Sequence, residues 1–208
     1  MKTKFIALVF VVASATAFAQ GKINLVNDSL HLVYWDPVGF NLKSGDGGLA
    51  GQLVSSSPTP SGASLLVDLY GGLSAGSMVL QTTTTMNLSS PGIFGPGGLF
   101  SPNVPGGVTG TFQIRIRESS FATAEAAQLG GGYSGFSSIF TFNPSSTIAF
   151  NTPVNHGGTA LSTWADGPYN LGVLGLGSIM VTHFIPEPTT LSLVGLGFGA
   201  IFTIRRKA

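Results

Sequence analysis

The stretch Thr111-Phe112-Gln113-Ile114-Arg115-Ile116-Arg117 sets a large apolar side chain at every second position, with polar or cationic ones between. A period of two matches an extended strand, whose successive side chains point to opposite faces. It predicts one buried face (Phe112, Ile114, Ile116) and one wet face (Gln113, Arg115, Arg117). Just downstream, Ala122–Leu129 (ATAEAAQL) reads as a helix of about two turns, stopped by Gly130-Gly131-Gly132. Moving further out, Ile23–Asn27, Leu30–Trp35, Ala63–Tyr70, Ser77–Met86, Phe136–Phe142, Thr147–Phe150 and Ile179–Ile185 carry β-branched and aromatic residues bounded by turn formers. Two segments are mostly punctuation. Ser44–Gly62 reads as a long exposed loop, and Pro91–Gly110, with seven glycines and four prolines, reads as a mobile surface loop.

The composition agrees with this pattern. The chain has 208 residues, 30 of them glycine and 12 proline; 43% are hydrophobic and only 8% are charged. So many apolar residues and so few charges exclude a charged disordered tail. The glycine and proline content excludes a helical bundle. The expectation is an all-β, single β-sandwich-like domain of roughly seven to nine short strands, with long Gly/Pro-rich loops and one short helix. Much of its core would come from the 15 phenylalanines.

Both ends are targeting segments. Met1-Lys2-Thr3-Lys4 is basic, Phe5–Ala13 is apolar, and Ala17-Phe18-Ala19 sets small residues ahead of Gln20. This order marks a cleavable signal peptide over residues 1–19, with Ala17 and Ala19 at the cleavage site. The apolar run is short for a bilayer-spanning anchor. At the other end, Ile185-Pro186-Glu187-Pro188-Thr189-Thr190 precedes an uncharged run to Ile204, closed by Arg205-Arg206-Lys207. The prolines force a helix to start after them. From Thr189 to Ile204 it would rise roughly 24 Å, a short C-terminal transmembrane helix whose basic stop stays cytoplasmic. Gly195 and Gly199 keep it slim, or support pairing with another helix.

Pro186-Glu187-Pro188, the Leu/Gly-rich helix and the terminal Arg205, Arg206 and Lys207 together resemble the PEP-CTERM sorting signal of Gram-negative bacteria. The resemblance covers residues 185–208. It implies recognition of Pro186, Glu187 and Pro188 by exosortase, an integral-membrane cysteine protease-transpeptidase. It also implies transient anchoring in the inner membrane and a role tied to exopolysaccharide and biofilm. The block Thr111–Phe142 is similar to uncharacterised ectodomains that carry this tail, which implies no activity. Two other sorting routes are excluded: the chain has no cysteine for lipidation and no Leu-Pro-x-Thr-Gly pattern. Nor is a disulfide framework available.

Between the ends, residues 20–184 form the exported domain. From Gly21 to Ile185 the four basic side chains face seven acidic ones, a net charge of −3. Arg115 and Arg117 alone make no phosphate-tracking stripe, which disfavours nucleic acid. Gly72-Leu73-Ser74-Ala75-Gly76 matches G-x-S-x-G, and Asp166 and His183 follow in the order of an α/β-hydrolase triad. The residues after Ser74 are strand-like, however, where a nucleophile elbow needs a helix, so a hairpin turn is the better reading. His31, His156 and His183 lack metal-ligand spacing, and Asp46-Gly47-Gly48 lacks the repeated acids of a calcium loop. No Gly-Lys-Ser/Thr closes a phosphate loop. No cofactor is expected. Tyr34, Trp35, Trp164 and Tyr169 are the aromatic candidates for stacking on sugar rings, with Trp35 and Trp164 as possible contacts; the alternative is that they plug the core or its rim. The sequence thus points to an exported, non-enzymatic surface or matrix protein. A carbohydrate-binding module is the alternative, and a serine hydrolase using Ser74 a more distant one.

Overall fold

The computed structural model describes residues 20–95, 98–154, 162–170 and 173–185. Ala17, Ala19 and residues 186–208, with the sorting motif and basic stop, lie outside them. Within them the protein is mostly β-sheet with one short α-helix. The strands are β1 (Ile23–Leu25), β2 (Val33–Trp35), β3 (Leu65–Gly72), β4 (Val79–Thr85), β5 (Gly98–Phe100), β6 (Gly110–Glu118), β7 (Tyr133–Phe136), β8 (Phe140–Phe142) and β9 (Ile179–His183). The helix α1 spans Ala124–Leu129. None of the helices there is long and apolar enough to cross a membrane.

The strand predicted from its two-residue period is the centre of the sheet. β6 alternates buried and half-buried positions over its whole length. On one side it pairs antiparallel with β3, setting Val67 opposite Ile116 and Leu69 opposite Ile114. On the other side it pairs with two short strands in line, β8 at its start and β7 at its end. The sequence reading had run Phe136–Phe142 as one strand. The break falls at Ser137, whose backbone N–H donates to the Ile114 carbonyl and whose Oγ accepts the Ile114 N–H, at 2.9 Å each. The sheet runs β2-β9-β7-β6-β3-β4, antiparallel except for β2 beside β9. β1 and β5 form a separate antiparallel ribbon.

One face of this sheet is apolar. Val67, Leu69, Ile114 and Ile116 are fully buried, and Phe112 lies within ring-packing distance of Phe140 and Phe142, at 6.3 and 5.8 Å between centroids. Phe112 takes space that only glycine leaves free: a Cβ on Gly71 would come within 2.4 Å of its ring. Burial of this surface is the main drive for folding in a chain with no cysteine.

The opposite face is not wet as expected. Asp68 accepts from Arg117 Nε at 2.7 Å and from Thr83 Oγ1 at 2.6 Å, with 1% of its side chain exposed. The Arg115 guanidinium lies 3.9 Å from the centre of the Tyr70 ring and pairs with Glu125 on α1. The helix therefore shields the β6 part of the polar face, while Thr83 on β4 stays exposed. Thr123 Oγ1 caps it through the Ala126 N–H, and Gly131 ends it in the left-handed region at φ 72°.

Three further expectations change. Thr147–Phe150 forms no strand, and Ile148 is 90% exposed. Pro91–Gly110 is more than a surface loop: it contributes β5 and buries Phe94 and Val104. Ser44–Gly62 is the long, largely exposed loop expected, with one change: it is bonded to the sheet. Val54 donates to the Val33 carbonyl, and Trp35 donates to the Gln52 carbonyl, so this segment covers the outer edge of β2.

Candidate functional site

The Ser44–Gly62 segment is pinned at both ends by polar groups set at the rim of the apolar face. Lys43 Nζ donates to the two oxygens of the Glu118 carboxylate at 2.8 and 2.6 Å. Glu118 Oε2 also accepts the Tyr133 backbone N–H at 3.0 Å. Asp46 has no exposed surface and accepts three bonds: from Ser61 N–H at 2.7 Å, Ser61 Oγ at 2.6 Å and Tyr133 Oη at 2.6 Å. The Tyr133 hydroxyl in turn accepts the Lys43 backbone N–H at 2.9 Å. One tyrosine thus holds the start of the loop through Lys43 and, through Asp46 and Ser61, its end.

The electrostatics follow from these contacts. Burial pushes the Asp46 carboxyl up, but the bonds from Ser61 and Tyr133 outweigh it and hold its pKa below the ordinary carboxylate value. The Tyr133 phenol is pushed well above its usual value, first by burial and then by the bond it donates to Asp46. It therefore stays a hydrogen-bond donor throughout the physiological range.

Between this segment and the Trp35 side chain lies a cleft of about 510 Å³. Trp35, Leu49, Leu53, Pro58, Pro60 and Pro91 supply its apolar lining. Gln52, Ser55, Ser57 and Thr59 supply its polar lining, and no residue lining it is charged. Trp35 is only 3% exposed, and the Tyr133 ring meets it edge-on at 4.9 Å between centroids. That contact holds the indole in place.

The other sequence candidates are dispersed. Trp164 is 1% exposed and is no part of the cleft lining; it stacks on Phe140 at 5.1 Å and meets the His31 ring edge-on at 4.6 Å. Tyr34 and Tyr169 form a tilted, half-buried pair at 5.2 Å. Asp166 faces His31 Nε2 at 3.5 Å, and His31 Nδ1 meets Asp28 at 2.6 Å. His183 instead packs near Tyr133, at 6.0 Å between ring centres. Ser74 sits in the β3–β4 hairpin, where its Oγ lies 3.0 Å from Ser77 Oγ. The hydrolase-like trio is therefore not assembled by the contacts of the described residues. Among those residues no group of three or more His, Cys, Asp or Glu side chains is placed to hold a metal ion. His156 lies outside them.

The sequence reading missed Lys43, Ser61, Glu118 and Tyr133, and weighed Asp46 only against a calcium loop. A faint signal existed: in a chain with 8% charged residues, an aspartate isolated in a Gly/Ser-rich stretch is worth locating. No family model, curated protein or solved structure matches this chain.

Proposed function

We propose that this chain is an exported cell-envelope or extracellular-matrix protein, delivered by its C-terminal tail and without enzymatic activity. The observation that carries the proposal is the residue sequence of the tail: Pro186-Glu187-Pro188, an uncharged run, then Arg205-Arg206-Lys207. Its similarity to the PEP-CTERM signal makes exosortase the processing partner and the inner membrane a transient anchor. Delivery would then be to the cell surface or matrix, in association with exopolysaccharide. The N-terminal basic, apolar and small-residue segments support export ahead of Gln20.

The body is read as a β-sandwich-like unit. Ile23 and Leu25 of the β1–β5 ribbon belong to the same buried cluster as Val67, Ile114 and Ile116, which supports a second layer over the apolar face. Ser74 is bonded to Ser77 rather than to an imidazole, which favours a non-catalytic role. The test is intact mass with C-terminal peptide mapping of the exported protein in a host that encodes an exosortase. The expected product begins at Gln20 and ends near Pro186. Recovery of exported protein with residues 186–208 intact, or unchanged delivery after their deletion, would overturn the proposal.

A further inference from the structure

We infer that the cleft beside Trp35 is a binding site for a neutral saccharide. The inference concerns the exported body and holds or fails independently of how the tail is processed.

Four features of the cleft converge on this ligand class. Its volume, about 510 Å³, is in the range that encloses a small ligand. Its lining carries no charge, so it offers neither the cations that would neutralise an acidic ligand nor the anions that would hold a basic one. The apolar part, Trp35 with Leu49, Leu53 and the prolines, matches the C–H surface of a sugar ring, which packs on indole and aliphatic carbon alike. The polar part matches hydroxyls. The Ser55 and Ser57 hydroxyls have no protein hydrogen-bond partner among the described residues, and neither has the Trp35 indole N–H. Gln52 spends its amide N–H on the Gly48 carbonyl at 2.7 Å, which leaves Oε1 to accept from a ligand hydroxyl. Free donors and acceptors side by side suit a ligand whose hydroxyls do both.

The cleft is also built in advance. The Asp46–Ser61–Tyr133 bonds and the Lys43–Glu118 pair hold its loop whether or not a ligand is present. Less ordering is then left to do on binding, which matters for ligands held by a few hydrogen bonds.

The test uses the full chain in a non-glycosidic detergent, probed first on an array of neutral and acidic oligosaccharides. The strongest neutral binder is then titrated by calorimetry. The expected result is selective binding of neutral oligosaccharides. Gln52→Ala combined with Ser57→Ala should weaken it by at least about tenfold, two lost hydrogen bonds being worth at least that. Both positions are exposed, so the thermal unfolding midpoint should stay unchanged, which separates a binding defect from a folding one. Trp35→Phe should weaken binding and remove the ligand-induced change in tryptophan fluorescence. Several results would each overturn the inference: no neutral binder on the array, preference for acidic oligosaccharides, binding untouched by these variants, or tighter binding of decaproline peptide than of any saccharide.

Discussion

The two faces of the central sheet are built from the same strands but by different physics. On one, Val67, Leu69, Phe112, Ile114 and Ile116 lose contact with water altogether and need nothing from one another but volume. On the other, Asp68, Arg117, Arg115 and Tyr70 are largely covered, and each charged group finds a partner there, Arg115 from the exposed Glu125. The apolar face tolerates no missing atoms, whereas the charged face tolerates no missing partners. At its Glu118 end the apolar face also acquires a polar rim, where Tyr133 meets Asp46, and it is this rim that positions the cleft.

The difference predicts a ranking of substitutions. Ile114→Ala should cost most, about 3–4 kcal/mol in denaturant unfolding, through lost transfer energy and the cavity left behind. If it costs under 1 kcal/mol, the apolar face is not the core. Asp68→Asn should cost about 2 kcal/mol, since it leaves the Arg117 guanidinium half-buried without its counter-ion. That is less than a fully buried pair would lose, because the Arg117 side chain keeps 12% exposure. Its double-mutant cycle with Arg117→Gln should show coupling well above that of a surface pair.

Acid should single out the polar rim. The Asp46 pKa is lower in the folded chain than in the unfolded one, so its contribution is complete above the unfolded value of about 3.9. It is lost as pH falls through the lower, folded value. The stability difference between the parent chain and Asp46→Asn should therefore shrink as the pH of urea melts is taken below about 4. An unchanged difference would show that Asp46 is not held as the carboxylate. Smallest of all, Glu125→Ala should cost about 0.5 kcal/mol, because its side chain is 47% exposed and its pair with Arg115 is screened by solvent. High salt should erase most of that cost.

What could be read in advance follows the same division. β6 was legible because its alternation is strict over the whole apolar–polar run. The short helix was legible because an alanine-rich run ends at three glycines, although it begins at Ala124, after the Thr123 cap, and not at Ala122. β5 was not, since Gly98-Leu99-Phe100 sits in a stretch dense with glycine and proline, and only pairing with β1 makes it extended. Thr147–Phe150 misled in the opposite sense: it has strand-like residues, yet no strand forms there. Of the aromatic candidates, both tryptophans proved buried, and only Trp35 lines the cleft. The Asp46–Tyr133 bond joins residues 87 apart, so no local pattern announces it.

By itself the sequence determined the β class of the body and the place of its central strand. These depend on composition and on local periodicity, the latter written within a few neighbouring residues. Only the tertiary structure decided that the arginine face is paired instead of wet, that the exposed Ser44–Gly62 loop is clamped to the sheet, and that a cleft opens beside Trp35. Each of those rests on partners far apart in the chain, and a buried polar group's cost is set by whether folding brings such a partner within hydrogen-bond reach.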